Sequence, residues 1–208
     1  MPRPDFDLYL VTDRKLTLGR DLLAVLEQAL DGGVKAIQLR EKDLDGKALF
    51  ELAEKLAALC QNYHAQIYIN DRIDVALAVD AAGVQLGKNS IPIETARDLL
   101  GIEKSIGYST HSLAEARAAE RSGADFLLFG PVYFTPSKAS YGTPQGLAPL
   151  REILDSVTLP VYAIGGINPV NLKEVKVTGV RGVALISAII TATDIKTAAQ
   201  QIHTNLAR

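Results

Sequence analysis

The chain has 208 residues, of which 48% are hydrophobic and 22% charged, with a formal net charge of −2. That composition suits one ordinary globular domain and leaves no basic excess to neutralise nucleic-acid phosphates. Its one cysteine, Cys60, excludes an internal disulfide and a zinc–thiolate cluster, and no apolar run approaches bilayer-spanning length.

Taken in chain order, Phe6 to Thr12 reads as a first strand, and Arg20 to Asp31 as an amphipathic helix with Leu22, Leu26 and Leu30 at helical spacing. Gly32-Gly33 ends that helix. Ala36 to Leu39 is the second strand, and Gly46 to Cys60 a helix with Leu49, Leu52, Leu56 and Leu59 on one side, which makes Cys60 a bland buried thiol. Gln66 to Ile69 and Gly83 to Leu86 are strands three and four, separated by a short helix over Ile73 to Val79. A helix then starts at Pro92, where a missing N–H costs least.

Ser105 to Tyr108 is the fifth strand. Ser112 and Glu115 have the capping-box spacing ahead of an alanine-rich helix. Ala124 to Phe129 is the sixth strand, followed by a long loop from Gly130 to Gly146 and a helix over Leu147 to Val157. Val161 to Ile164 and Gly182 to Ile186 are the last strands, with helices over Pro169 to Val177 and Asp194 to Leu206. Strict strand–helix alternation points to parallel βαβ units. The count reaches eight, and no Gly-x-Gly-x-x-Gly follows the first strand, as a dinucleotide-binding sheet would want. The expected fold is therefore α/β: one domain over residues 1–208, closed as a (β/α)8 TIM barrel, with its site at the carboxyl ends of the strands.

Those strand ends carry the chemistry. Gly165-Gly166 after the seventh strand and Ile186-Ser187 after the eighth offer backbone N–H groups and a hydroxyl, the features of a monophosphate cup, although a tight turn would also use two glycines. Gln38, Arg40 and Lys42 leave the second strand, and alternate residues share a face, so two cations and an amide can converge in the barrel mouth. A solvated Lys42 paired with Glu41 or Asp43 is the plainer alternative. Asn70-Asp71 places an acid opposite them, either as an ion-pair partner or as a ligand for a hard metal. Ser109 and His111 end the fifth strand, the first suited to ligand contact and the second to acid–base work or a structural hydrogen bond. Thr135, Ser137 and Lys138 sit in the long loop, where two hydroxyls and a lysine could clamp a phosphate.

At these residues the chain resembles the thiamin phosphate synthase family, including its TenI-type thiazole tautomerases. The motifs that carry the resemblance are Gln38 to Lys42, Asn70-Asp71-Arg72, Gly107 to Ser112, Gly130-Pro131-Val132, Thr135 to Lys138 and Ala163 to Ile167, spread over essentially the whole chain. The resemblance implies an enzyme joining hydroxymethylpyrimidine diphosphate to thiazole phosphate with release of pyrophosphate. Carried over by motif, Gln38, Arg40, Lys42, Asn70, Ser109 and Lys138 would hold the pyrimidine diphosphate, Asp71 would bind Mg²⁺, and Gly166, Ile186 and Ser187 would hold the thiazole phosphate. Thr135 and Ser137 fall where the synthases usually show two threonines near the phosphates.

Two positions depart from the family pattern. The synthases carry a second metal-binding aspartate after strand four, whereas Ser90 stands there in this chain, with Lys88 adding a positive charge nearby. In the tautomerase branch a catalytic histidine follows strand six; Pro131 occupies that place, so His111 would have to move the proton. The alternatives to the synthase are thus a metal-free thiazole phosphate tautomerase and a non-catalytic phosphate-binding paralogue. The partners expected are small phosphorylated pyrimidines and thiazoles, not nucleic acid or membrane. The N-terminus, Met1-Pro2-Arg3-Pro4-Asp5, has no apolar stretch behind a basic start, and a cytoplasmic location is expected.

Overall fold

The computed structural model describes residues 4–135 and 143–207. Strands β1 (Leu8–Val11), β2 (Ala36–Leu39), β3 (Gln66–Asn70), β4 (Gly83–Leu86), β5 (Ser105–Thr110), β6 (Phe126–Phe129), β7 (Val161–Ile164) and β8 (Gly182–Leu185) close into one barrel in sequence order. Every neighbouring pair is parallel, including β1 with β8. Helices α1 (Leu22–Asp31), α2 (Gly46–Asn62), α3 (Ile73–Ala78), α4 (Ile93–Leu100), α5 (Leu113–Arg121), α6 (Leu147–Leu154), α7 (Leu172–Lys176), α8 (Ser187–Ile190) and α9 (Ile195–Ala207) lie between and after them. The (β/α)8 barrel expected from the alternation is the fold observed. Among the described residues, no helix is long and apolar enough to cross a membrane.

Strand parity sorts the side chains into two layers. Leu8, Leu10, Ile37, Leu39, Val84 and Ile106 point outward and pack under the helices. The alternate residues point inward, and in the amino-terminal part of the barrel they are aromatic: Phe6, Tyr9, Tyr68, Phe126 and Tyr162 form one buried cluster. Phe6 stacks on Tyr162 at 4.8 Å, and Phe126 meets Tyr68 edge-on at 5.5 Å, the offsets that ring quadrupoles favour. Tyr162 donates its hydroxyl to the Phe6 carbonyl at 2.8 Å, which satisfies one polar tip of the plug. The interior is thus a packed core at one end, and the inward positions nearer the carboxyl ends are free to be polar: Gln38, Asn70, Gln85 and Ser109 continue the same columns.

Three local differences from the expected elements have simple causes. β5 runs on to Thr110, so Ser109 is a strand residue with a fixed inward direction. The helix after β7 starts at Leu172 and not at Pro169, because Asn168 and Asn171 tie up the intervening N–H groups: Asn171 Oδ1 accepts from Asn168 N–H at 2.8 Å, and Asn168 Oδ1 from Val170 N–H at 2.9 Å. Ser187 opens a separate four-residue helix, and Asp194 caps the final one by accepting from Thr197 N–H at 2.9 Å.

Candidate active site

The carboxyl rim is organised by a run of hydrogen bonds from β2 to β4. Gln38 donates from Nε2 to Asn70 Oδ1 at 2.9 Å, and Asn70 donates from Nδ2 to Asp71 Oδ2 at 2.7 Å. The other oxygen of Asp71 accepts the Ser90 hydroxyl in a short contact. Ser90 in turn accepts the Gly87 N–H at 2.7 Å. Asp71 has φ +62°, in the left-handed region that non-glycine residues seldom adopt, and its own N–H is held by the Gln85 carbonyl at 3.1 Å. Five residues thereby fix the direction of one exposed carboxylate beside the barrel mouth.

The cations from strand two are left without acidic partners, for a reason that lies on β1. Glu41 is buried and accepts from the Thr12 hydroxyl at 2.7 Å, from Arg14 N–H at 3.0 Å and from the Arg14 guanidinium at 3.1 Å. Asp43 pairs with the same guanidinium and with Lys15 at 2.9 Å, contacts that hold its carboxyl well below the usual range, with Arg14 the larger cause. The pairing of Lys42 with Glu41 or Asp43 allowed by the sequence is therefore not formed: Arg14 and Lys15 have taken both acids. Thr12 Oγ1 also accepts from Arg40 N–H at 2.9 Å, which anchors that backbone. The Arg40 guanidinium, half-buried, and the exposed ammonium groups of Lys42 and Lys88 have no partner among the described residues. Together they form a cationic rim on the end of the barrel that also carries Asp71. Ser109 lies across the mouth, accepting from Gln85 Nε2 at 3.1 Å.

His111 has a structural bond. Its Nδ1 contacts the Gly130 carbonyl closely, which leaves Nε2 as the lone-pair nitrogen of the neutral ring and ties the end of β5 to the end of β6. The capping box is shifted: Ser112 accepts from Glu115 N–H at 3.2 Å, but Glu115 reaches back to His111 N–H at 2.7 Å, one residue before the expected Ser112.

On the opposite rim the segment after β6 crosses the end of β7. Val132 N–H donates to the Ile164 carbonyl and Tyr133 N–H to the Gly165 carbonyl, both at 2.9 Å. A Cβ on Gly166 (φ +67°) would lie 2.5 Å from the Phe134 carbonyl oxygen and 2.7 Å from Tyr133 Cβ. Gly166 thus has a packing reason within the chain itself. Ile186 is half-buried and Ser187 exposed beside it, the Ser187 hydroxyl having no protein partner among the described residues. Thr135 is half-buried at the end of the crossing segment, while Ser137 and Lys138 lie outside the described residues. The described candidates, from Gln38 to Ser187, thus occupy one end of the barrel, as the strand-end reading requires.

With this geometry in place, the comparisons with known proteins are direct. Residues 8–189 match the family model described as thiamine monophosphate synthase. The chain belongs to that family. It is 45% identical to a thiamine-phosphate synthase of Syntrophomonas wolfei over 98% of this chain and 97% of the relative. A thiamine-phosphate synthase of Clostridium novyi is 43% identical, over 95% and 97%. The solved thiamine phosphate pyrophosphorylase of Pyrococcus furiosus superposes with a TM-score of 0.89 at 42% identity, covering 97% of this chain and 95% of that one. Members bearing this name are transferases, and neither the tautomerase nor the non-catalytic alternative is favoured by these likenesses.

Sequence reasoning missed the residues that act behind the rim. Thr12, Arg14 and Glu41 form a long-range knot, buried at Thr12 and Glu41, with no periodic signature, and Gln85 sits within an apolar strand. The parity of Gln85 with Asn70 across β3 and β4 was the one available signal for it.

Proposed function

We propose that this chain catalyses the synthase reaction of its family: attack of a thiazole phosphate nitrogen on the methylene carbon of hydroxymethylpyrimidine diphosphate, with release of pyrophosphate. The observation that carries the reading is the unpaired cationic rim, Arg40 with Lys42 and Lys88, whose neighbouring acids are diverted to Arg14 and Lys15. A diphosphate bound there meets guanidinium and ammonium groups that need not first break an ion pair. As the C–O bond breaks, its electron pair leaves with the pyrophosphate, and fixed cations stabilise the charge that develops. The thiazole nitrogen then supplies the pair for the new C–N bond. Its phosphate would rest against the Gly166 backbone and the Ile186-Ser187 turn, opposite the cations, which brings the two rings together over the mouth.

Gln38 and Asn70, held to each other, would orient the pyrimidine, with Ser109 contributing its hydroxyl. Lys138 is assigned to the leaving diphosphate, and Thr135 and Ser137 to the phosphates between the two rings. Crossing of the Tyr133–Phe134 segment over β7 helps keep water from the reacting carbon. His111, engaged at Nδ1, is assigned to holding the β5 and β6 ends together.

The donor set at Asp71 fits Mg²⁺: a hard, exposed carboxylate oriented by Asn70 and Ser90, with the Ser90 hydroxyl oxygen beside it. Among the described residues no group of three or more His, Cys, Asp or Glu could form a protein-only cage, so phosphate oxygens and water would complete the shell. When bound, Mg²⁺ supplies charge neutralisation to the leaving diphosphate. Pyrophosphate release by the purified protein, assayed with both phosphorylated substrates, each alone, and Mg²⁺ or EDTA, tests the reading. Release only with both substrates and Mg²⁺ is expected. No release at saturating substrates, with thiazole phosphate still bound, overturns it.

A further inference from the structure

Gln85 is buried at 2% exposure on the inward face of β4, with its side-chain oxygen Oε1 enclosed and without a hydrogen-bond partner among the described residues. An enclosed amide oxygen without a partner costs stability, so its retention calls for a reason. The surroundings show how the amide is held. Its Nε2 donates to Ser109 Oγ at 3.1 Å, with a longer contact to the Leu86 carbonyl at 3.5 Å. Below it, a Cβ on Gly107 would lie 2.4 Å from Gln85 Oε1 and 2.4 Å from Phe126 Cζ. The bare glycine therefore makes the space that the amide fills. The Leu86 carbonyl is only an acceptor, so its contact with Nε2 sets the NH₂ end of the amide on the side of Ser109.

We infer that Gln85 is a positioning residue that makes the Ser109 hydroxyl a hydrogen-bond donor to the pyrimidine diphosphate. The step rests on the proposed synthase reading. Ser109 Oγ accepts from Gln85, so its own proton points away from the amide. No acceptor for that proton exists among the described residues. The unengaged proton of Ser109 is thereby available to an acceptor in the barrel mouth, a ring nitrogen or a diphosphate oxygen. Gln85 thus sets the polarity of one contact without touching the ligand.

The test is a double-mutant cycle on Gln85→Met and Ser109→Ala, read as kcat and KM for each substrate. Gln85→Met keeps the length of the side chain and removes the donor. The expected result is a loss of about tenfold in kcat/KM for the pyrimidine diphosphate, the weight of one hydrogen bond, with the KM for thiazole phosphate unchanged. In the Ser109→Ala background the same substitution should do nothing further. Gln85→Glu supplies a second, independent arm. Its carboxylate would accept the Ser109 proton and turn the hydroxyl inward, so its rate relative to wild type should rise as pH falls and the carboxyl becomes a donor. Additive losses in the cycle, equal losses for both substrates, or a pH-independent Gln85→Glu ratio would overturn the inference and leave the synthase reading standing. Absence of turnover by the wild-type protein overturns both.

Discussion

Ser90 donates its hydroxyl to Asp71 across the gap between the ends of β3 and β4, while accepting the Gly87 N–H itself. A neutral donor thus steadies the carboxylate at a place where an acid could have stood. Replacing it as Ser90→Asp would put two carboxylates side by side, which repel each other without a cation and bind one better together. We expect the Mg²⁺ concentration for half-maximal pyrophosphate release to fall about tenfold, the scale of a change next to a metal ligand. A Mg²⁺ titration that superposes on wild type would remove Asp71 from the proposed metal site. Metal-free Ser90→Asp protein should also melt lower than wild type.

Arg40 and Glu41 are adjacent in sequence and opposite in energetic role. Glu41 is buried and collects the Thr12 hydroxyl, the Arg14 N–H and the Arg14 guanidinium, so Glu41→Ala strands three donors and should cost about 3 kcal/mol of stability. The Arg40 guanidinium has no partner among the described residues, so Arg40→Ala should leave unfolding within about 0.5 kcal/mol of wild type. Its effect belongs in substrate binding, where loss of a charged hydrogen bond weakens the pyrimidine diphosphate by roughly 10- to 100-fold. Denaturant unfolding and calorimetric titration on the two variants separate the roles. Substantial destabilisation by Arg40→Ala with unchanged affinity would contradict the unpaired rim.

The barrel was legible because parity and alternation are written in single residues. Ala36–Leu39, Gly83–Leu86 and Val161–Ile164 have the boundaries that their apolar runs announce. The rim was legible too, since polar residues at parallel strand ends must share one end of a closed barrel. Contacts made by side chains far apart in sequence were not legible. Arg14 and Glu41 are joined only by closure of β1 against β2, and nothing local to either marks the other. The late start of α7 escaped because Asn168 and Asn171 bond to backbone groups before the helix can, a competition that spacing rules do not weigh. The space that Gln85 fills depends on Gly107 of another strand, which no residue local to Gln85 announces.

Gly166 joins the two rims mechanically. Its φ of +67° and the 2.5 Å approach of the Phe134 oxygen to a would-be Cβ mean that Gly166→Ala strains the backbone and pushes on the crossing segment at once. A cost of about 1–3 kcal/mol follows from the backbone alone. Because Gly166 itself is placed against the thiazole phosphate, that affinity should fall as well, whereas pyrimidine diphosphate affinity, set by Arg40 and Lys42 across the mouth, should hold. Equal weakening of both ligands would show that the two rims are not separable.

Cys60 provides a check on the packing of α2 that is independent of catalysis. It is 1% exposed, and burial pushes its thiol up to about 12. Between the ordinary thiol value of about 8.5 and the folded value, the unfolded chain releases a proton that the folded chain retains. The thiol's contribution is therefore complete below the unfolded value and is lost as pH rises through that window. Cys60→Ala removes this slope, so wild type should lose stability relative to the variant from pH 9 upward, even though the variant starts about 1 kcal/mol lower from the lost sulfur contacts. Denaturant melts of both proteins at a series of pH values from neutral to alkaline read the difference. Parallel curves, or rapid labelling of the native thiol by a disulfide reagent at pH 8, would mean that α2 does not bury Cys60 against the barrel.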